Sequence, residues 1–229
     1  MITSKDIAKM IDHSLLKPEV TVEEVRKGCQ IAKKYKAASV CVKPCDVAAA
    51  KEELEGCDVL VSTVIGFPHG SSKTSIKVLE AEEAIRDGAV ELDMVLNIGR
   101  LLSGDLDYVK SDIQAVVESA HKSGAIVKVI LENCYLTDQQ KEIACKLCEE
   151  AGADYVKTST GFGTGGATIE DLKLMRKVCS EKVKVKAAGG IRTLDSTLAV
   201  RAAGADRIGA TATEVIMEEA ILREKEKRL

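Results

Sequence analysis

Lys157 lies in a strand-like run, Asp154-Tyr155-Val156-Lys157-Thr158-Ser159-Thr160, that passes directly into the glycine-rich stretch Gly161-Phe162-Gly163-Thr164-Gly165-Gly166. Withdrawing an ammonium from water into a half-buried strand lowers its pKa from the ordinary value of about 10.4 and leaves a neutral, nucleophilic amine near neutral pH. A second case follows in Val183-Lys184-Val185-Lys186-Ala187-Ala188, which leads into Gly189-Gly190. Lysines a few residues ahead of strand-end glycines predict an amine held beside another cation and near a phosphate site. The competing reading is that these lysines snorkel from edge strands, keeping their heads in water while their stems cover apolar surface. Repetition bears on the choice. Lys128 sits in Ile126-Val127-Lys128-Val129-Ile130-Leu131 and Asp93 in Val90-Glu91-Leu92-Asp93-Met94-Val95. Charges of both signs interrupt several otherwise apolar strands, and one shared interior is expected to hold them.

A repeating unit would position these residues. An amphipathic helix, a Gly-Ala step and a short apolar strand recur: Asp87-Gly88-Ala89 leads to the Asp93 strand, Ser123-Gly124-Ala125 to the Lys128 strand, Ala151-Gly152-Ala153 to the Lys157 strand and Ala203-Gly204-Ala205 to Arg207-Ile208-Gly209. Each glycine suits the position just past a helix end, where a positive φ is needed. Helices alternating with buried strands predict βα units and a parallel sheet. Candidate strands fall at 10–13, 39–43, 59–65, 90–96, 126–132, 155–159, 183–188 and 207–210. Eight such units in 229 residues describe an α/β fold, a TIM (β/α)8 barrel in one domain over 1–229, with its active site at the C-terminal ends of the strands. An extra N-terminal helix over 3–10 is expected to cover the barrel's bottom. On this fold Gly189 and Gly190 follow the seventh strand, Gly209 and Thr211 close the eighth and Gly161 follows the sixth, where many barrels bind phosphate through backbone N–H groups. The same glycines would equally serve tight strand-to-helix turns.

Composition narrows the function classes. The chain is 45% hydrophobic and 30% charged with a net charge of −3, so it can bury a full core and carries no nucleic-acid footprint. Aromatics are 3% with no Trp, which removes stacking platforms for bases. The polar start Met1-Ile2-Thr3-Ser4-Lys5-Asp6 has no hydrophobic signal region. The eight cysteines are therefore expected as reduced thiols in a cytoplasmic protein. Cys145 and Cys148 form a CxxC inside the helical run 139–151, and without a second CxxC they predict packing rather than zinc. No apolar run approaches the roughly 20 residues that span a membrane. His13, His69 and His121 have no HxH or HExxH spacing; only His13 and His69 could lie near strand C-termini, and His121 is expected to be a solvated helix residue. Neither GxSxG nor a Cys/His arrangement supports acyl transfer.

The segments Val156-Lys157-Thr158-Ser159-Thr160-Gly161-Phe162, Val185-Lys186-Ala187-Ala188-Gly189-Gly190-Ile191-Arg192 and Glu91-Leu92-Asp93-Met94-Val95 closely resemble the deoxyribose-phosphate aldolase family of class I aldolases. Ile11-Asp12-His13-Ser14-Leu15-Leu16-Lys17-Pro18 and Val40-Cys41-Val42 do so too, and the resemblance runs in the family's order from about Ile7 to Ile216. It implies Lys157 as the Schiff-base lysine, Lys186 as the cation that depresses its pKa, and Asp93 as the proton shuttle. Asp12 and Lys128 complete the polar network, with Cys41 nearby in the mouth; substrate contacts are implied for Cys41, Thr158, Gly161, Gly189, Gly190, Gly209 and Thr211. The implied reaction cleaves 2-deoxy-D-ribose 5-phosphate to acetaldehyde and D-glyceraldehyde 3-phosphate and runs in reverse. No cofactor or metal is needed, because the imine supplies the electron sink. The expected partners are a small phosphorylated sugar and a second copy of the chain in a homodimer, with neither nucleic acid nor membrane. Two departures stand out. Many family members carry two adjacent hydroxyl residues after the eighth strand, where this chain reads Gly209-Ala210-Thr211-Ala212-Thr213, and the C-terminal tyrosine of some members is absent. Two alternatives remain: another phosphate-binding barrel, such as a different class I aldolase or a sugar-phosphate isomerase with Glu132 as base, and a catalytically inactive barrel that binds a sugar phosphate.

Overall fold

Strands that alternate apolar with charged side chains must bury both sets when a sheet closes on itself. A computed structural model describes residues 2–229, and its eight parallel strands form a closed barrel in sequence order. They are β1 (Ile11–Leu15), β2 (Ser39–Val42), β3 (Leu60–Ile65), β4 (Glu91–Val95), β5 (Ile126–Ile130), β6 (Tyr155–Lys157), β7 (Lys184–Ala188) and β8 (Arg207–Ala210). Around them run α1 (Ser4–Ala8), α2 (Val22–Tyr35), α3 (Val47–Glu53), α4 (Thr74–Arg86), α5 (Ile98–Leu102), α6 (Leu106–His121), α7 (Asp138–Glu150), α8 (Ile169–Val178), α9 (Leu194–Ala202) and α10 (Thr213–Lys225). Ile11, Val40, Val61, Leu92, Val127, Val156, Val185 and Ile208 join the apolar core shared with the helices. Their sequence neighbours Asp12, Asp93, Lys128, Lys157 and Lys186 are buried on the other face, inside the barrel. The lumen is therefore ionic, and the hydrophobic layer lies between sheet and helices.

The expected strands all form, with shifted ends. β1 runs two residues beyond the expected 10–13, and β6 stops at Lys157, although the backbone ladder continues one step as the Thr158 N–H donates to the Lys186 carbonyl at 3.1 Å. The N-terminal helix is shorter than expected; Thr3 caps it, and Ile7 and Ala8 are its buried residues. Its main contact is with α10, and Ser4 Oγ donates to Glu224 at 2.5 Å.

The Gly-Ala steps end helices as their composition requires. At Gly88-Ala89 the glycine N–H bonds the Ile85 carbonyl and the alanine N–H the Ala84 carbonyl, and the same pair of bonds recurs at Gly124-Ala125, Gly152-Ala153 and Gly204-Ala205. Asp154 and Asp206, following two of these steps, accept the N–H groups of Val127 and Val185 at 2.8 and 2.9 Å, so each step also ties down the start of a neighbouring strand.

Candidate active site

Strand register brings the charged residues into one cluster. Asp93 pairs with Lys128 across β4 and β5, Lys157 with Lys186 across β6 and β7, Lys186 with Arg207 across β7 and β8, and Asp12 with Gly209 across β1 and β8. Asp93 is the hub: one carboxylate oxygen accepts from Lys157 Nζ and Lys186 Nζ, each at 2.7 Å, and the other from Lys128 Nζ at 2.9 Å. Lys186 Nζ also pairs with Asp12 at 2.5 Å, and Lys128 Nζ with Glu91 at 2.7 Å. Arg207 closes the cluster from below by pairing with both Asp12 and Glu91. All five residues expected to carry chemistry, Lys157, Lys186, Asp93, Asp12 and Lys128, thus meet in one buried network.

Counting charge identifies the odd member. Lys128, Lys157, Lys186 and Arg207 face Asp12, Glu91 and Asp93, four cations against three carboxylates. Neutrality in a low-dielectric interior is reached when one lysine gives up its proton. Lys128 and Lys186 each contact at least two carboxylates and are held above the ordinary lysine range: burial opposes their charge, but Asp93 and Asp12 outweigh it. Lys157 has only Asp93, through an oxygen shared with Lys186. Burial pushes its pKa below the ordinary value; Asp93 pulls the other way, and Lys186 adds to the lowering by like-charge repulsion. Asp93 and Asp12 stay ionised despite burial because the surrounding cations hold them below the usual carboxylate range.

Only Lys157 among these lysines opens onto a cavity. That cavity, about 290 Å³, sits at the C-terminal ends of the strands and is lined by Lys157, Ser14, Leu16, Lys17, Thr160, Gly161, Phe162, Gly189, Gly190, Ile191, Arg192, Gly209 and Thr211, with Ala188 and Ala210. The expected glycines and Thr211 therefore gather around Lys157. Gly161, Gly189 and Gly190 adopt φ of +88°, +85° and +88°, and an added Cβ at Gly190 would meet nothing within 4 Å and would project into open space. Among the described residues no protein acceptor takes the N–H of Gly161, Gly189, Gly190 or Thr211. Unengaged N–H groups converging on a cavity suit an anion, and Lys17 and Arg192 add cationic heads.

Several expectations need correction. Thr158 does not line the cavity: adjacent strand residues face opposite ways, and its hydroxyl donates to the Ala188 carbonyl and accepts the Ala188 N–H, at 3.1 and 3.0 Å. Cys41 is fully buried beside the lysines, not in the mouth, in register with Ser14 and Ser62; burial and Asp93 raise its thiol pKa. Lys184 stays exposed, its ammonium 5.7 Å from the Tyr155 ring centroid. His121 is the exposed helix residue expected, and it also bonds Asp154 at 2.9 Å. His13 faces the helices, bonding the Thr213 hydroxyl at 2.8 Å, so the second hydroxyl of the Thr211-Ala212-Thr213 run is already engaged. Glu132, the alternative isomerase base, takes the N–H and hydroxyl of Thr160 and lines a separate pocket of about 90 Å³. Arg207, Glu91, Lys17 and Arg192 were not among the expected site residues. Arg207 and Glu91 carried a signal, lying two residues before Gly209 and Asp93 on the same strand face. Among the described residues no group of His, Cys, Asp or Glu could hold a metal, and no helix is long and apolar enough to cross a membrane.

Comparison with known proteins points the same way. The chain matches the DeoC/LacD family aldolase description over residues 5–216. It is 57% identical over 215 residues to the deoxyribose-phosphate aldolase of Caldanaerobacter subterraneus subsp. tengcongensis, covering 93% of each chain. It is equally identical to the one from Thermococcus gammatolerans, covering 93% of this chain and 96% of that protein. The deoxyribose phosphate aldolase of Aeropyrum pernix, solved as a tetramer, superposes with a TM-score of 0.88 at 32% identity, covering 95% of this chain and 92% of that one.

Proposed function

The chain belongs to the DeoC/LacD family of aldolases, and on that premise we propose that it cleaves 2-deoxy-D-ribose 5-phosphate to acetaldehyde and D-glyceraldehyde 3-phosphate through a Schiff base on Lys157. The observation that carries the assignment is that Lys157 alone combines a lowered pKa with access to the cavity. Its neutral amine attacks the C1 aldehyde of the open-chain sugar, and loss of water from the carbinolamine gives a protonated imine. The C3 hydroxyl then gives up its proton, the C2–C3 bond breaks, and its electron pair flows into the imine to form an enamine as glyceraldehyde 3-phosphate leaves. Protonation at C2 and hydrolysis release acetaldehyde and restore the amine. Asp93, ionised and 2.7 Å from Lys157 Nζ, is the group that accepts and returns these protons, directly or through one water. Asp12 and Lys128 hold Asp93 and Lys186 in place.

In this reading the phosphate lies against the free N–H groups of Gly161, Gly189, Gly190 and Thr211, with Gly209 admitting its approach and Lys17 and Arg192 supplying charge. Positive φ at all but Gly209 and Thr211 fits glycines kept for backbone conformation as well as room. We extend the reading to a cytoplasmic homodimer acting in deoxyribonucleoside catabolism. Eight free thiols suit a reducing compartment, and light scattering of the purified protein measures the assembly.

Borohydride added with acetaldehyde or substrate tests the central claim. Intact mass and peptide mapping should find a reduced adduct on Lys157 with parallel loss of activity; an adduct on Lys186 or Lys128 would reassign the nucleophile.

A further inference from the structure

Glu132 is a buried carboxylate without a cation. It is 2% exposed, and among the described residues no lysine, arginine or histidine lies within ion-pair distance of it. Its backbone has φ of +55° and ψ of +63°, a left-handed conformation disfavoured for a residue with a side chain. A buried polar group with no cation beside it and a strained backbone at the end of β5 both oppose folding, so hydrogen bonds to the side-chain oxygens must hold it there.

Those bonds all go to one residue of the loop after Lys157. The Thr160 N–H donates to Glu132 Oε1 at 3.1 Å, and the Thr160 hydroxyl donates to Glu132 Oε2. The Thr160 hydroxyl in turn accepts the Phe162 N–H at 3.0 Å. The loop thus has its two flanking N–H groups spoken for, at Thr160 and Phe162, while the N–H between them, at Gly161, has no protein acceptor among the described residues and lies at the cavity. The same chain of bonds holds Phe162, which lines the cavity and meets Phe67 edge-on with ring centroids 5.4 Å apart. Gly163 packs onto Glu132 closely enough that an added Cβ would sit 3.1 Å from its carboxyl carbon.

We propose that Glu132 is a positioning residue for the phosphate end of the substrate. Through Thr160 it fixes the loop 160–163 so that the Gly161 N–H stays free at the cavity to meet the phosphate, and it does this without touching Lys157 or the reacting carbons. The inference rests on the proposed aldolase reading, which the borohydride adduct on Lys157 tests separately in the unaltered protein.

The experiment compares kcat/KM for 2-deoxyribose 5-phosphate and for unphosphorylated 2-deoxyribose in Glu132→Ala, Glu132→Gln and Thr160→Val. Glu132→Ala should lower kcat/KM for the phosphorylated sugar at least tenfold more than for the unphosphorylated one, with most of the difference in KM. Glu132→Gln keeps an acceptor for the Thr160 N–H and should recover part of that loss. Thr160→Val keeps the N–H bond, removes the hydroxyl link to Phe162, and should repeat the phosphate-selective loss. If Glu132→Ala does not fold, the other two variants decide. Equal losses on both sugars, or no loss in Glu132→Gln and Thr160→Val together, would reduce Glu132 to a structural carboxylate and overturn the proposal, whatever the borohydride result.

Discussion

At the scale of single residues, the four-to-three charge count around Asp93 makes Lys186 the decisive neighbour of Lys157. Replacing Lys186 by leucine leaves Lys128, Lys157 and Arg207 facing three carboxylates, so neutrality now requires Lys157 to keep its proton. The repulsion that lowers its pKa is also lost, and Asp93 turns its freed attraction on the remaining amine. Both effects raise the pKa of Lys157. Below that pKa the neutral fraction, and with it imine formation, falls about tenfold per pH unit. Lys186→Leu should therefore shift the rising limb of the pH–rate profile to alkaline pH and lower kcat/KM at pH 7 by about a hundredfold or more. A profile superimposable on that of the unaltered protein would remove Lys186 from the mechanism. Much of this cluster was legible because its lysines and aspartates interrupt apolar strands with a period of two. Thr158 and Cys41 were misplaced for want of the same geometry: Thr158 follows Lys157 and must face the other way, and Cys41 sits at a depth that spacing along one strand does not specify.

At the scale of elements, the Gly-Ala step was readable wherever glycine marks it and invisible where it does not. The end of α2 makes the same pair of bonds, from the Lys36 N–H to the Lys33 carbonyl and from the Ala37 N–H to the Ala32 carbonyl, with Lys36 at φ +55° in the left-handed position. A lysine there costs about 1–2 kcal/mol of backbone strain that glycine avoids. Glycine in turn makes the unfolded chain more flexible, at about 0.5–1 kcal/mol. Lys36→Gly should therefore raise stability by about 0.5–1 kcal/mol, seen as a higher urea midpoint with an unchanged slope and no change in activity, since the site lies at the other end of the strands. A lower midpoint would mean that contacts of the Lys36 side chain outweigh the strain. The end of β5 is the harder case. Glu132 also takes the left-handed conformation, but nothing local in Leu131-Glu132-Asn133 signals it, because its cause is Thr160, a residue 28 positions away.

For the whole molecule, closing the barrel is what joins chain ends far apart in sequence. β1 pairs with β8, α1 packs on α10, and the buried His13 on β1 bonds Thr213 at the first turn of α10. The sequence announced eight strands and their order, and alternation with Asp12 turns His13 outward, but its partner Thr213, 200 residues away, follows only from closure, which is a property of all eight together. Burial lowers the pKa of His13 from an unfolded value of 6.5 to about 4. Between these values the unfolded chain binds a proton that the folded protein excludes, so stability is complete above pH 6.5 and declines as pH falls to 4. A shift of that size corresponds to about 3 kcal/mol. Asp12 and Asp93 act in a separate window, because their lowered values make their contribution present above the ordinary carboxylate pKa of 3.8 and lost only below it. His13→Asn keeps a polar atom near the position of Nδ1 for Thr213 and removes the titration. Chemical denaturation at pH 7, 5.5 and 4 should therefore give a stability curve flatter by about 3 kcal/mol over that range than in the unaltered protein, with the steep loss below pH 4 retained. If the two curves run parallel from pH 7 to 4, another group governs the acid sensitivity of the closed barrel.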